Sequence, residues 1–221
     1  MFKKLLEKIF NLAFPAECIF CGRYGSLLCL DCRQLFEINS CHKRYRSKNL
    51  SDLYEAASYQ NRFVQKAVAK FKYEPFLKEL KGPLADVICG HLNLIDNKPD
   101  FGTYSLAAVP LSKKRKHWRG FNQAEELAEE ISKTLGIPLL YELLQKNDGA
   151  APQATLSAAE RKKSVKGTIR CKKPPNAAGI DILLIDDIFT TGATMEECAH
   201  VLLENGAKTV TGLVLARSEI N

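Results

Sequence analysis

The chain has 221 residues, 46% of them hydrophobic, and its 32 basic and 25 acidic side chains leave a formal charge of +7. That length allows one ordinary domain plus a small module, with ample apolar content for a core. No apolar run is long enough to cross a membrane, and the positive balance favours an acidic or phosphorylated partner over a neutral one.

Residues 1–13 place Phe2, Leu5, Leu6, Ile9 and Phe10 at helical spacing among Lys3, Lys4, Glu7 and Lys8. The pattern predicts an amphipathic helix docked on the body, with a membrane-surface helix as the alternative. The segment lacks the apolar core and cleavage site of a signal peptide, so the expected compartment is the cytoplasm, including the inner face of the membrane. Cys18-x-x-Cys21 and Cys29-x-x-Cys32 follow as two knuckles seven residues apart, with Gly22 giving the first a turn. Four thiolates at this spacing suit a closed, structural zinc site. The ion would organise a stretch with too few apolar groups for its own core. A pair of redox dithiols is the competing reading, weakened by how close the two pairs lie. Cys41-His42 is a spare ligand pair; Cys89, Cys171 and Cys198 read as free thiols. A basic connector (Lys43, Arg44, Arg46, Lys48) closes a first unit, residues 1–50, consisting of helix and zinc module. Residues 51–221 form the second.

In that second unit a short strand is expected at 53–59. A helix at 62–73 has Phe63, Val64, Ala67, Val68 and Phe71 on one face. A second helix covers 83–94, a buried strand 105–110, and a third helix 122–135, with Ala124, Leu127, Ala128 and Ile131 inward and Gly136 as its stop. Residues 138–144 read equally as strand or short helix, and 145–152 as turn. Short strands at 167–170 and 209–216, a loop at 173–179, and a strand–helix pair from 182 to 205 complete the series. Alternating strands and helices define an α/β fold with a mainly parallel sheet flanked by helices.

Three stretches carry chemistry. The strand at 105–110 runs into a basic loop with Lys113, Lys114, Arg115, Lys116 and Arg119 around Trp118, then Gly120 and the helix cap Asn122. Such a loop at the carboxyl end of a sheet suits a diphosphate, and Trp118 suits base stacking. A solvated charge run is the alternative. A second basic stretch, with Arg161, Lys162, Lys163, Lys166, Arg170, Lys172 and Lys173, reads as a mobile flap over an anionic ligand or as a plain cationic surface. The third is the most informative. The apolar run 182–185 ends in Asp186 and Asp187; Thr190, Thr191, Gly192, Ala193 and Thr194 follow; then a helix begins. Carboxylates at a strand end can accept hydrogen bonds from a diol. A small, hydroxyl-rich loop leading into a helix N-terminus suits a phosphate. Together they point to a phosphorylated ribose.

This third stretch resembles the PRPP-binding motif of type I phosphoribosyltransferases, PRPP being 5-phosphoribosyl 1-diphosphate. The resemblance implies that Asp186 and Asp187 hold the ribose 2- and 3-hydroxyls. Residues 190–194 would wrap the 5-phosphate, and Mg²⁺ would bridge ribose and diphosphate. Purine-salvage enzymes acting on hypoxanthine and guanine carry an acid where this chain has Thr190, which argues against that substrate class. Together with Lys72-Tyr73, Val109-Pro110-Leu111, Arg119-Gly120-Phe121-Asn122-Gln123, Gln153-x-x-Leu156-Ser157, Glu160-Arg161 and the cysteine pairs, the chain is similar over nearly its whole length to the ComF family. The resemblance implies a PRPP-binding protein of bacterial DNA uptake and natural transformation. Single-stranded DNA would be met by Lys113, Lys114, Arg115, Lys116 and Trp118, and a competence helicase or other DNA-processing protein is the partner class. If transfer is catalysed, Arg119 and Arg161 neutralise the leaving diphosphate. A working transferase of nucleotide salvage and a zinc-stabilised scaffold with a vestigial pocket are the alternatives. Any hood over the acceptor would come from residues before about 104.

Overall fold

The computed structural model describes residues 16–147, 165–172 and 177–218. The expected helix at 1–13 and most of the flap, Arg161 included, lie outside the described residues. Element order is α1 (Leu30–Gln34), β1 (Asp52–Ser58), α2 (Arg62–Lys72), α3 (Lys81–Leu94), β2 (Tyr104–Ala108), α4 (Lys113–Arg119), α5 (Gln123–Leu135), β3 (Leu144–Lys146), β4 (Ile169–Cys171), β5 (Asp181–Phe189), α6 (Ala193–Glu204) and β6 (Thr209–Arg217). Four strands form a parallel sheet in the order β1-β6-β5-β2, and β3 pairs antiparallel with β4 in a separate ribbon. Among the described residues no helix is long and apolar enough to cross a membrane.

Strand period sorts the core into two layers, because successive side chains of a strand point to opposite faces. Leu183 and Ile185 of β5 join Leu213 and Leu215 of β6 on the face covered by α2, α3 and α5, where Phe71, Leu84, Ile88, Leu127 and Ile131 are buried. Ile182 and Leu184 face the other way, with Val210 and Val214, onto Met195, Cys198 and Leu202 of α6. The helices start where short polar side chains can cap them. Asn61 accepts from the Phe63 and Val64 amides at α2. Asn122 accepts from Ala124 at α5 while its own amide donates to the Val109 carbonyl at 3.0 Å, tying that helix to the end of β2. Gly136, at φ +69°, ends α5 in the left-handed conformation.

The cysteine segment packs on the same core: Leu28 and Phe36 are buried, and Phe20 stacks edge-on against Phe63 of α2 with ring centroids 5.3 Å apart. The connector then runs along the outer edge of β1. Asn39 donates to the Ala56 carbonyl, His42 meets Asp52 at 3.0 Å and stacks on Tyr54, so the edge strand is covered.

Four expectations change. Residues 113–119 form a two-turn helix rather than a loop, capped by Ser112 and closed by Gly120 at φ +83°. Residues 138–143 are neither strand nor helix, and Leu144 opens β3: Leu139 makes one bridge to Leu106, held by Leu106 N–H to Pro138 and Leu140 N–H to Leu106. The turn expected from 145 begins instead with β3. The strand expected to stop at the acids continues to Phe189, because β6 keeps pairing with it through Arg217. Its other neighbour, β2, stops opposite Ile185. That staggered end opens a cleft beside Asp186 and Asp187.

Candidate functional site

The cleft consists of two adjoining cavities of about 300 and about 250 Å³ that share Arg115, Asp186, Ile188, Thr190 and Thr194. The first is walled by residues 189–195 and Tyr73. The second holds both acids with Lys72, Asn122, Gln123 and Lys146.

Neighbouring residues on a strand cannot face the same way, and the two acids divide accordingly. Asp187 points to the α2 side. It is 2% exposed and meets Lys72 Nζ at 2.7 Å. The free carboxylate expected from the sequence is therefore an ion pair at the cleft floor. Burial opposes the Lys72 charge, but the Asp187 and Asp186 carboxylates outweigh it and hold the ammonium above its ordinary value. Asp186 points to the α6 side and opens onto both cavities. Enclosure on its other sides pushes its carboxyl well above the usual range, Asp187 adds to the rise, and Lys72 opposes it. Asp186 Oδ1 accepts from the Asp187 amide at 2.8 Å, and Asp187 Oδ1 from the Ile188 amide at 2.9 Å, which fixes both rotamers.

Residues 190–194 form the expected turn. Gly192 sits at φ +73°, and a Cβ there would collide with the Phe189 ring, so the loop requires glycine. The first-turn amides of α6 have no intrahelical carbonyl and face the loop. The Thr191 hydroxyl accepts from Ala193 at 3.4 Å. Thr190, Thr191, Ala193 and Thr194 all line the first cavity.

The basic helix α4 divides. Arg115 lines both cavities. Lys113 and Lys114 are exposed, and Lys116 is held by Glu125 at 2.7 Å. Arg119 turns inward: it is 8% exposed, donates to Gln123 Oε1, and lies 5.9 Å from the Tyr73 ring centre. Burial lowers its proton affinity and the Asp187 charge opposes that shift. Arg119 lines neither cavity. Trp118 is 54% exposed, edge-on to Phe76 at 5.0 Å and 6.5 Å from Tyr73, which is itself 56% exposed. Aromatic surface therefore runs from α4 to the cleft mouth. Lys72, Tyr73, Lys146 and Gln123 acquire site positions for which residue type alone gave no signal.

The four cysteines Cys18, Cys21, Cys29 and Cys32 bring their sulfurs within 4.8 Å of one another, and Cys21 and Cys29 are 3.7 Å apart. A tetrahedron with Zn–S near 2.3 Å has edges of about 3.8 Å, so the donor set fits zinc. Burial pushes the Cys18 thiol up, but amide donors from Cys29, Cys21 and Phe20 outweigh it and bring it down to about 6.

An acid pair where a parallel strand ends, next to an amide-lined loop leading into a helix, defines a phosphoribosyltransferase-like domain. The phosphoribosyl transferase domain family matches residues 119–219. Competence protein ComFC of Bacillus subtilis is 29% identical over 207 residues, covering 91% of this chain and 78% of that protein. DNA utilization protein YhgH of Salmonella typhi is 37% identical over 114 residues, 51% of this chain and 49% of that one, so the match spans about half of each. Competence protein F of Haemophilus influenzae is 30% identical over 115 residues, 52% of this chain and 50% of that one. Among solved structures the likeness is distant: a regulatory enzyme of purine biosynthesis aligns over 62% of this chain and 25% of that one, with TM-score 0.41 and 16% identity. Together these matches support a ComF-family, phosphoribosyltransferase-like protein.

Proposed function

We propose that the cleft binds PRPP with Mg²⁺ and that the protein serves DNA uptake, in keeping with the competence and DNA utilization named in its relatives. The observation that carries the reading is the junction of Asp186, Asp187 and the 190–194 loop in one cleft flanked by cations. In this reading residues 190–194 take the 5-phosphate. Asp186 takes a ribose hydroxyl, directly or through Mg²⁺, and Asp187, paired with Lys72, lies beside it. Mg²⁺ supplies charge neutralisation for the diphosphate. Asn122 and Gln123 bound the sugar. The diphosphate role implied for Arg161 is kept in this reading, and Arg119 supports the acid pair from beneath. Residues 1–50 act as a zinc-organised module attached to the transferase-like body, 51–221. Transfer to an acceptor remains the second reading, since positioning and electrostatics suffice for it and no covalent nucleophile is required.

Asp186→Asn tests ligand and physics together. Between pH about 4 and its raised folded value, Asp186 keeps a proton in the native state that the unfolded chain has lost. Stability falls as pH rises through that window, so within it or above it the carboxyl opposes folding. The variant should gain on the order of 1–2 kcal/mol in ligand-free stability, while calorimetry with PRPP and Mg²⁺ reads an affinity at least tenfold weaker. Native-like PRPP affinity in the variant would remove the ribose role.

In this reading single-stranded DNA lies on the outer face of α4, with Trp118 as a stacking surface and Lys116 held by Glu125. Binding of a labelled oligonucleotide should weaken with salt. In Lys113→Ala/Lys114→Ala the slope should fall by about 0.7 per lost phosphate contact, and Trp118→Ala should weaken binding at every salt concentration. A salt-independent signal, or slopes equal in native and variant protein, would place the DNA elsewhere.

A further inference from the structure

We propose that two side chains of the connector, Tyr45 and Asn49, are positioning residues for the 190–194 loop. Tyr45 backs the ring on which the loop rests, and Asn49 holds the Glu196 carboxylate away from the phosphate. The inference rests on the reading of that loop as the seat of the 5-phosphate. It gives the segment that joins the two units a part in ligand affinity.

The connector sorts its side chains by direction. Lys43, Arg44, Arg46 and Lys48 are exposed, whereas Tyr45 and Asn49 are half-buried. The Tyr45 amide donates to Asp52 Oδ1 at 2.9 Å, and Leu50 is buried in the α6-side core, so the backbone carrying both side chains is fixed. The Tyr45 ring meets Phe189 edge-on, with centroids 5.5 Å apart. Phe189 in turn fills the space where a Cβ of Gly192 would stand. Arg217 lies against both rings, 5.3 Å from the Tyr45 centre and 5.8 Å from that of Phe189, and is itself held by Glu55 at 3.3 Å. The loop therefore rests on Phe189, and Phe189 rests on Tyr45. A ring packed from both sides keeps one rotamer, which keeps Gly192 in one place.

Glu196 is a charge that the loop must be spared. It lies in the first turn of α6, and its amide donates to the Gly192 carbonyl at 2.8 Å. A carboxylate there is attracted to the helix N-terminus, where it would compete with a phosphate and repel it. Yet Glu196 lines neither cavity. Its Oε2 accepts from Asn49 Nδ2 at 3.2 Å on the connector side, and its Oε1 is enclosed without a hydrogen-bond partner among the described residues. Asn49 thus supplies the hold that keeps this charge off the loop. The Tyr45 phenol reports the same cluster: burial raises it most, Glu196 adds to the rise and Arg217 opposes it.

The test is calorimetry with ribose 5-phosphate and with PRPP at fixed Mg²⁺. Native protein is compared with Asn49→Ala, Glu196→Gln, Asn49→Ala/Glu196→Gln, Tyr45→Leu and Tyr45→Phe, each checked for a native thermal transition. Asn49→Ala should weaken both ligands about fivefold or more, and the double variant should return to within about twofold of Glu196→Gln. Lost packing would not be cured by removing a charge elsewhere, so this recovery reads the carboxylate. Tyr45→Leu should weaken both ligands by a similar factor, and Tyr45→Phe, which keeps the ring, should stay within about twofold of native. Where Tyr45→Leu lacks a native transition, the Asn49 variants decide alone. Native affinity in Asn49→Ala or in Tyr45→Leu overturns the part given to that residue, and a loss in Asn49→Ala that Glu196→Gln leaves uncorrected overturns the carboxylate mechanism. Amide exchange of residues 190–196 in ligand-free protein separates the loop's support from its ligand: it should rise in Asn49→Ala and Tyr45→Leu and stay native in Tyr45→Phe. A native protein that binds neither sugar phosphate overturns the phosphate reading; raised exchange in those two variants then still supports the positioning role, and unchanged exchange overturns both.

Discussion

Lys72→Met should lower the stability of the protein at pH 7 by about 3–5 kcal/mol, the range for stripping one partner from a buried ion pair. The pair qualifies because Asp187 is 2% exposed and Lys72 18%, at 2.7 Å. Methionine keeps most of the lysine stem volume, so the loss reports charge rather than a cavity. Asp186 sits beside the stripped carboxylate and adds repulsion. Lys72 has a raised folded pKa, so its contribution is complete below the unfolded lysine value and is lost only as pH rises through the folded one. At neutral pH the native protein therefore has the whole of it. The variant behaves differently: without Lys72, which opposes the rise, Asp186 holds its proton more strongly in the folded state, so the deficit should be smaller at pH 5 than at pH 7. Urea unfolding at both pH values reads this directly. The double variant Lys72→Met/Asp187→Asn should recover more than half of the loss, the coupling expected of neighbours in one pair. A single-variant deficit under 1 kcal/mol at both pH values would mean that water reaches the pair and that Lys72 has no special role at the cleft floor.

How this cleft could be read from the chain depends on which residues have local partners. The apolar run 182–185, the acids, the 190–194 loop and α6 lie consecutively, and each is specified by its neighbours, so order along the chain became order in space. The same holds for α5, whose cap and stop are written at Asn122 and Gly136. Lys72 is different. At the end of amphipathic α2 a lysine reads as a cation complementing the helix dipole, and nothing nearby announces a partner on β5. Strand alternation would have warned that Asp186 and Asp187 point apart, since Leu183 and Ile185 already assign Asp187 to the α2 face. The helix at 113–119 was hidden because five cations and an exposed tryptophan give no apolar period; its limits come from Ser112 and Gly120. Inward rotation of Arg119 follows from those same two ends. Lys146 was hidden for a third reason: a three-residue strand gains its identity only from Ile169–Cys171, more than twenty residues on.

Removing the inner cysteines should be the other large perturbation. Cys18 and Cys32 are buried in the same core cluster as Leu28 and Phe36, while Phe20 meets Phe63 of α2 and Arg33 meets Asp86 of α3, so losing the cysteines loosens the module from the body. The second knuckle is arranged by a helix end: Cys29 is the N-cap of α1 and Cys32 lies in its first turn, which turns both sulfurs to one side. The salt bridge between Arg23 and Asp31 links the two knuckles at 2.6 Å but is exposed at both ends, so it cannot replace the ion. With zinc bound, the native state gains binding free energy that the unfolded chain lacks. We expect one zinc per chain by metal analysis. In Cys32→Ser, zinc should be lost and the stability deficit should be on the order of 5 kcal/mol, about 10–20 °C in Tm. A strong chelator acting on the native protein should shift Tm in the same direction, and more readily as pH falls, because protons compete with the ion for the thiolates. The Phe20–Phe63 contact makes the loss visible elsewhere: freeing the module uncovers α2, so amide exchange should rise along residues 62–72. Zinc content near zero in fully stable native protein would turn the cysteine pairs into redox dithiols, and mass spectrometry would then find disulfides after mild oxidation.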